Sequence, residues 1–239
     1  MNHPVATEDH GPLQALLTTI DLPSLLDHAC LDPLQGGSAL REQLEAARFW
    51  GCGGFCIPSG WVRKARPHLP PNGPKLVAVV GFPTGAVPSS VKLAEAEWAA
   101  EAGADELDVA PDFAALADGD TEQVYGELAA IVQLGLPVKV ITEAVRLPGP
   151  LLETLVEVAV DAGAQWLKTG AGYGPGVTPD LVRRLARLAR RRAAVKASGG
   201  IHGLEQALRL LEAGAQRLGL SRAPALLEAA RRRQPGALR

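Results

Sequence analysis

The segment Asp161-Ala162-Gly163-Ala164-Gln165-Trp166-Leu167-Lys168 joins the end of a predicted helix to the start of a predicted strand. A glycine in this setting is typical of the left-handed residue that ends a helix, and the apolar residues after it suit a buried strand. Residues 101–109 and 212–219 repeat the pattern, with Ala-Gly-Ala again between the two elements. Repeated helix-to-strand units with short connections predict a parallel sheet with helical crossovers.

Eight segments have the composition of buried parallel strands. They are residues 25–29, 54–57, 76–81, 106–110, 138–143, 166–169, 194–197 and 217–220. The stretches between them are predicted helices, and several have recognisable first residues, namely Ser38, Ser89 or Ser90, Thr121, and Thr178 followed by Pro179. Eight strands alternating with helices over about 220 residues predict an α/β fold, a (β/α)8 TIM barrel with an N-terminal extension, rather than a doubly wound open sheet.

The length and charge of the chain limit the classes of protein to which it can belong. At 239 residues it has the size of one large domain, so we expect a single barrel domain over residues 1–239. Residues 1–18 and 231–239 are expected to be peripheral or flexible. The net charge of −2 gives no reason to expect nucleic acid or a membrane surface as a partner. The arginine-rich residues 183–192 have the spacing of one exposed helix face.

The cysteine content indicates a reducing compartment. Cys30, Cys52 and Cys56 are an odd number in a long chain, which predicts reduced thiols and a cytoplasmic location. No second cysteine pair or histidine cluster accompanies them in the sequence, so we expect no metal site. The first ten residues include a proline and two acidic residues where a signal peptide would be apolar, and no apolar run approaches the roughly 18 residues of a membrane span.

Two lysines end apolar segments that are predicted to be buried strands. Lys168 follows Trp166-Leu167, and Lys196 follows Ala193-Ala194-Val195. A buried and unpaired ammonium is costly, so lysine is rare at such positions. Burial and a second nearby cation both make an amine easier to deprotonate, and a neutral amine attacks carbonyl carbon. Because arginine supplies most of the other cations of the chain, these two lysines suggest amines that must be able to lose a proton.

A barrel would bring both lysines together with a carboxylate. Asp108, Lys168 and Lys196 all fall at C-terminal strand ends, where catalytic groups of barrels project. Asp108 could move protons or hold a catalytic water. Lys139 and Glu143 share one face of their predicted strand and could extend the charged network. The set suits imine chemistry for carbon–carbon bond cleavage, and the alternative is a structural cluster of ion pairs.

Glycine-rich segments follow the seventh and eighth predicted strands. Ser198-Gly199-Gly200-Ile201-His202-Gly203 opens a helix, and Gly219-Leu220-Ser221-Arg222 follows the last strand. These loops form the usual phosphate site of this fold. Glycines let backbone N–H groups approach an anion, and Ser221 and Arg222 add a hydroxyl and a positive charge.

These motifs together resemble the deoxyribose-phosphate aldolase family, which consists of class I aldolases with a (β/α)8 barrel. The resemblance runs from about Leu25 to Ser221, which is most of the chain. The matching motifs are Leu26-Asp27-His28, Phe55-Cys56-Ile57-Pro58, Val79-Val80-Gly81-Phe82-Pro83-Thr84-Gly85, Lys92 with Glu95, Ala104-Asp105-Glu106-Leu107-Asp108-Val109, Lys139-Val140-Ile141-Thr142-Glu143, Lys168-Thr169, and Lys196-Ala197-Ser198-Gly199-Gly200-Ile201.

The resemblance implies reversible cleavage of 2-deoxy-D-ribose 5-phosphate to D-glyceraldehyde 3-phosphate and acetaldehyde, without a metal or organic cofactor, in deoxynucleotide breakdown. Lys168 would form the Schiff base, Lys196 would make that amine easier to deprotonate, and Asp108 would join a water-mediated proton relay. The implied phosphate contacts are Gly172, Gly199, Gly200, Gly219 and Ser221. Arg222 and Asp27 complete the predicted substrate-binding set. The expected partners are a phosphorylated sugar and acetaldehyde, with a homodimer as an open alternative to a monomer.

Three departures from the family pattern lie where substrate would bind. The chain has Lys168-Thr169-Gly170-Ala171-Gly172 where the family usually has Lys-Thr-Ser-Thr-Gly, and Asp27-His28-Ala29 where it has Asp-His-Thr. His202 stands where an arginine usually follows Gly-Gly-Ile. The alternatives are therefore a Schiff-base aldolase of the same superfamily with another substrate, and an idle homologue that binds a sugar phosphate. The joint presence of both lysines and the aspartate argues against idleness.

Overall fold

A computed structural model describes residues 11–233 of the chain as a closed barrel of eight parallel strands. The strands follow one another in sequence order, and β8 pairs with β1 to close the barrel. Their bounds are β1 (Leu26–Ala29), β2 (Gly54–Pro58), β3 (Lys75–Val80), β4 (Glu106–Val109), β5 (Val138–Ile141), β6 (Trp166–Lys168), β7 (Ala194–Ser198) and β8 (Arg217–Leu220). The predicted (β/α)8 barrel and all eight predicted strands are confirmed, with ends that differ by no more than two residues.

Helices connect the strands and cover the outside of the barrel. They are α1 (Gly11–Thr19), α2 (Gly37–Phe49), α3 (Val62–Ala65), α4 (Ser89–Glu101), α5 (Phe113–Ala117), α6 (Thr121–Val132), α7 (Gly149–Asp161), α8 (Pro179–Ala189), α9 (Leu204–Glu212) and α10 (Ala223–Arg233). The predicted first residues of α4, α6 and α8 are confirmed as Ser89, Thr121 and Pro179. Helix α2 begins at Gly37 rather than Ser38, because Gly36 takes the cap position without a side-chain cap.

Side chains alternate between the two faces of each strand, so one set packs against the helices and the other fills the barrel interior. Residues such as Leu107, Val140 and Leu167 point away from the barrel axis and join one large hydrophobic core with the helices. A much smaller apolar cluster, built on Cys56 and the β3 valines Val77 and Val79, lies inside the barrel. Because successive strand residues face opposite sides, the remaining interior positions are left for polar side chains.

The described parts of the predicted peripheral segments are ordered helix. Helix α1 covers residues 11–19, and its Leu13 and Leu17 are buried in the large core. Residues 231–233 form the last turn of α10. The remainder of both predictions, residues 1–10 and 234–239, lies outside the described residues.

The arginine-rich segment is exposed, but only part of it lies on the predicted helix face, because α8 ends at Ala189 and Arg190, Arg191 and Arg192 follow the helix. Arg183 contacts Asp180 on the same helix, and Arg192 contacts Glu157 and Asp161 of α7, with partly exposed side chains throughout. No helix within residues 11–233 is long and apolar enough to cross a membrane.

A buried ion pair fastens α4 to α6 on the outside of the barrel. Lys92 Nζ lies 2.9 Å from Glu127 Oε1, both side chains are fully buried, and Lys92 also donates to the carbonyl of Ala110 at 3.2 Å. Glu127 accepts further hydrogen bonds from the Ser89 hydroxyl and the Asp112 N–H group, at 2.7 and 3.0 Å. The pair is therefore fully hydrogen-bonded and ties both helices to the segment that follows β4.

We predict that Lys92→Met lowers the free energy of unfolding by about 3–5 kcal/mol, because it leaves a buried carboxylate without its cation. Urea denaturation followed by circular dichroism measures the change. The control is Arg183→Ala, which removes an exposed pair and should change stability by less than about 1 kcal/mol. Lys92→Met combined with Glu127→Leu should cost less than the sum of the single changes, and simple additivity would contradict the pairing.

Candidate active site

Strand register brings charged residues of β1 and of β4 to β8 into the barrel interior. Asp108 on β4 lies beside Lys139 on β5, and Lys168 on β6 lies beside Lys196 on β7. Lys196 in turn lies beside Arg217, the first residue of β8. The three predicted catalytic residues, Asp108, Lys168 and Lys196, are therefore brought together, as the order of their strands in a closed barrel requires.

The carboxylate of Asp108 is the centre of this network. Its Oδ2 atom accepts hydrogen bonds from Lys168 Nζ at 3.0 Å and from Lys196 Nζ at 2.8 Å. Its Oδ1 atom lies 3.1 Å from Lys139 Nζ. Complete burial alone would raise the pKa of Asp108, but the three lysines outweigh burial and hold this pKa well below its usual range. Asp108 is thus a permanent carboxylate.

Lys196 lies between two buried carboxylates. Its Nζ atom is 2.8 Å from Asp108 Oδ2 and 2.5 Å from Asp27 Oδ2. Burial alone would lower the pKa of Lys196, but these two carboxylates raise it above its ordinary value. Glycine at position 219 makes room for the side chain, since a Cβ atom there would lie 2.9 Å from Lys196 Cε. Lys196 is therefore a fixed cation.

Lys139 extends the network as predicted, whereas Glu143 does not. Lys139 Nζ lies 2.5 Å from Glu106 Oε2 as well as near Asp108, and its pKa is raised because these carboxylates outweigh burial. Strand β5 ends at Ile141, two residues before the predicted end, so alternation does not continue to Glu143. Glu143 adopts a left-handed backbone, with φ of 44°, and its carboxylate accepts the Ala171 N–H at 2.5 Å.

Asp27, which was predicted to bind substrate, lies beneath the cavity and is not among the residues that line it. Its side chain is fully buried, and its Oδ1 atom accepts a hydrogen bond from Arg217 Nη1 at 2.8 Å. Glycine at position 54 leaves the space for this carboxylate, because a Cβ atom there would overlap it. Arg217 was absent from the predicted site, although its place at an inward-facing position of β8, two residues before Gly219, was a usable signal.

The charges of the interior network do not balance when every group is ionised. Within the described residues the network contains four cations, Lys139, Lys168, Lys196 and Arg217, against three carboxylates, those of Asp27, Glu106 and Asp108. Lys139 and Lys196 each contact two carboxylates, whereas Lys168 contacts one. Arg217 also contacts one, but a guanidinium does not lose its proton in proteins. Lys168 is thus the cation whose neutralisation would balance the network.

Apolar and aromatic groups surround the free side of Lys168. The Phe82 ring centre lies 5.6 Å from Lys168 Nζ, and the Tyr173 ring lies 5.9 Å from that of Phe82. Cys56 Sγ lies 3.9 Å from Asp108 Oδ2, and burial raises the pKa of this thiol to about 11. The thiol is therefore uncharged near neutral pH, and Cys30 and Cys52 are likewise free and buried.

A cavity of about 510 Å³ opens above the network at the C-terminal ends of the strands. Lys168 and Lys196 lie at its base. Every residue of the predicted phosphate set lines it, namely Gly172, Gly199, Gly200, Gly219, Ser221 and Arg222. Ala29, Ala171 and His202, which depart from the family pattern, also line it, whereas Asp108 lies below its surface.

Backbone donors face one another across the loops after β6 and β7. Gly172, Gly199 and Gly200 have φ values of 97°, 102° and 66°, which glycine tolerates. A Cβ atom on Gly200 would lie 2.7 Å from Gly176 Cα, so the two loops touch through their backbones. The N–H groups of Gly172, Gly200 and Ile201 donate no hydrogen bond to any other part of residues 11–233. These groups could hold a phosphate.

Two hydroxyls that the sequence analysis passed over fix the loop after Lys168. Ser198 Oγ donates to the Gly170 carbonyl at 2.6 Å, while Thr169 Oγ1 donates to the Ser198 carbonyl and accepts the Ser198 N–H, both at 2.9 Å. Each residue had appeared only as part of a longer motif.

Within residues 11–233, no cluster of three or more histidine, cysteine or acidic side chains could hold a metal ion.

Curated relatives and several solved structures similar to this chain are aldolases. No protein-family model matches the chain. A curated deoxyribose-phosphate aldolase from a strain of Cyanothece sp. is 44% identical over 204 residues, which are 85% of this chain and 90% of the relative. The solved deoxyribose phosphate aldolase of Aeropyrum pernix, described as tetrameric, is 36% identical with a TM-score of 0.83 over 95% of this chain and 98% of its own.

A solved structure of an aldolase named QR15 is 33% identical to this chain, with a TM-score of 0.87. It matches 90% of this chain and 98% of its own. Extensive identity over nearly the whole length of these relatives agrees with the shared barrel and with the motifs of the interior. The chain belongs to the deoxyribose-phosphate aldolase family.

Proposed function

We propose that this chain reversibly cleaves 2-deoxy-D-ribose 5-phosphate to D-glyceraldehyde 3-phosphate and acetaldehyde through a Schiff base on Lys168. The observation that carries the proposal is the position of Lys168, which contacts Asp108 at 3.0 Å and faces the cavity. Lys168 is also the titratable cation of the network with the fewest carboxylate contacts. Relatives named deoxyribose-phosphate aldolase support the choice of substrate.

The charge count is the argument for Lys168, rather than another cation of the network, as the nucleophile. Three carboxylates are balanced by Lys139, Lys196 and Arg217 alone, so a proton on Lys168 adds an excess charge in a buried site. Asp108 favours that proton, but the Lys196 cation on the same oxygen atom opposes it. These contacts support Lys168 as the nucleophilic amine of the proposed reaction.

The reaction follows from this amine. Neutral Lys168 adds to C1 of the open-chain sugar aldehyde, and loss of water gives a protonated imine. A base then removes the proton of the C3 hydroxyl, the C2–C3 bond breaks, and its electron pair moves to the imine nitrogen. Glyceraldehyde 3-phosphate leaves, and an enamine remains on Lys168. Protonation of the enamine carbon and hydrolysis release acetaldehyde and restore the amine.

Asp108 and Lys196 act on the charge that appears and disappears at Lys168 Nζ. The imine nitrogen is positive, and Asp108 Oδ2 lies where it can stabilise that charge. Lys196 keeps its own proton and offsets the rest of the Asp108 charge. Because its low pKa keeps Asp108 ionised, its part in a proton relay is to accept hydrogen bonds and orient a water molecule.

The substrate phosphate would lie at the opposite side of the cavity from the amine. The free N–H groups of Gly172, Gly200 and Ile201 supply donors, and Ser221 and Arg222 add a hydroxyl and a positive charge. In this arrangement the aldehyde end of the sugar reaches Lys168, which lines the cavity together with Tyr173. The free cysteines favour a cytoplasmic setting, and the tetrameric Aeropyrum relative favours self-assembly of this chain over a monomer.

We predict different effects for the two lysines at the cavity. Lys168→Ala should abolish both acetaldehyde release from deoxyribose 5-phosphate and borohydride trapping of the substrate, because the nucleophile is lost. Lys196→Met removes a buried cation, so a proton on Lys168 becomes more favourable and the activity optimum should move to higher pH. Peptide mapping of the reduced adduct identifies the modified residue, and an adduct on Lys196 would reverse the proposed roles.

We predict that Ala29→Thr combined with Ala171→Thr raises kcat/KM for deoxyribose 5-phosphate. Both residues line the cavity where the family usually carries threonine. Each restored neutral hydrogen bond contributes about 0.5–1.5 kcal/mol, so the double variant should gain roughly one to two orders of magnitude.

The matched control for this variant is Ala29→Val with Ala171→Val, which adds similar volume without hydroxyls. A wild-type rate typical of efficient aldolases, with no gain in the threonine variant, would show that the pocket holds the sugar by other contacts. Schiff-base formation with other aldehydes, but no cleavage of deoxyribose 5-phosphate, would favour an aldolase with a different substrate.

A further inference from the structure

We propose that Arg217 is a positioning residue for the aldolase reaction, which acts through Asp27 and Lys196 to keep Lys168 available as a neutral amine. The inference rests on the proposed function, in which Lys168 is the nucleophile. Arg217 does not line the cavity and cannot touch the substrate, so its influence must pass through the buried network.

A continuous series of ion pairs connects Arg217 to Lys168. Arg217 Nη1 lies 2.8 Å from Asp27 Oδ1, and the second oxygen of Asp27 lies 2.5 Å from Lys196 Nζ. Lys196 Nζ lies 2.8 Å from Asp108 Oδ2, and the same oxygen lies 3.0 Å from Lys168 Nζ. The pairs run from the first residue of β8 to the last residue of β6.

The surroundings of Arg217 hold its guanidinium in place. Its side chain is 15% exposed, its Cζ atom lies 5.5 Å from the centre of the Trp166 ring, and a Cβ atom on Gly53 would lie 3.4 Å from its Nη1. Asp27 from β1 is the acidic group that acts on it most strongly, followed by Glu106 and Asp108 from β4. A residue at this position therefore supplies a permanent positive charge in a fixed direction.

The groups that face Lys168 come from four parts of the barrel. They are Asp108 of β4, Lys196 of β7, Cys56 of β2 and Phe82 of the segment after β3. Lys196 already contacts its full complement of two carboxylates, and the thiol is uncharged near neutral pH. Removal of a charged group elsewhere in the network should therefore change the electrostatic potential at Lys168.

Removal of Arg217 would cancel the excess positive charge of the fully ionised network. Three carboxylates would then face only Lys139, Lys196 and Lys168, and all three lysines would have to be protonated for the network to be neutral. The proton on Lys168 would no longer be the excess charge. The neutral amine would then form only at higher pH.

The test follows the rate of adduct formation on Lys168 against pH, with acetaldehyde as the aldehyde and cyanoborohydride as the trapping reagent. In Arg217→Met the acidic limb of this profile should move to higher pH by roughly 0.5–1 pH unit, whereas the rate at the alkaline plateau should change less. Arg217→Lys keeps the charge and should leave the limb near its wild-type position. Arg192→Met, which removes an exposed arginine that follows α8 and pairs with Glu157 of α7, is the control for net charge and should leave the limb unmoved.

Should Arg217→Met fail to fold in a thermal melt, Asp27→Asn tests the same coupling with a side chain of the same size. That variant removes a carboxylate, so its limb should move to lower pH. An unmoved limb in either folded variant, or an equal shift in Arg217→Lys and Arg217→Met, would overturn the role of Arg217. Absence of any wild-type adduct on Lys168 would instead refute the proposed function itself.

Discussion

The rest of the structure depends on the Asp108 carboxylate, which three lysines share inside the barrel. Taking one carboxylate and three ammonium groups out of water is costly, and the cost is offset only when the groups meet at hydrogen-bonding distance. Strands β4, β5, β6 and β7 must therefore lie side by side in strict register, which a closed parallel barrel provides. The barrel fold and the charge network therefore both require the same register of β4, β5, β6 and β7.

The barrel interior is divided between this network and a small apolar cluster. Cys56, Val77 and Val79 fill the side formed by β2 and β3, so the charges have a low-dielectric wall on that side. Glycines at positions 54 and 219 leave room for the carboxylate of Asp27 and the stem of Lys196. Any side chain at either glycine would displace a charged group, so these two positions serve the chemistry and not the strand.

The sequence predicted the barrel well because helix ends and buried strands have local signatures, such as Ala-Gly-Ala before Trp166. It also revealed Asp108, Lys168 and Lys196, since charged residues in apolar strands stand out. Arg217 and Glu143 were harder. The partner of Arg217 is 190 positions away in the chain. The predicted fifth strand extended two residues beyond the observed end at Ile141, so Glu143 was placed on the wrong face. Long-range pairing and the last residues of strands depend on tertiary structure.

Two properties of the enzyme, the reactivity of Lys168 and the preference for a substrate, depend on different groups of residues. The proposed reactivity of Lys168 depends on Lys196 at the base of the cavity and on carboxylates that do not line it. The residues that depart from the family pattern, Ala29, Ala171 and His202, line the cavity above, and none of them contacts a network carboxylate. Substrate preference can therefore change through the loops without loss of the nucleophile, because the carboxylates that hold Lys168 and Lys196 do not line the cavity.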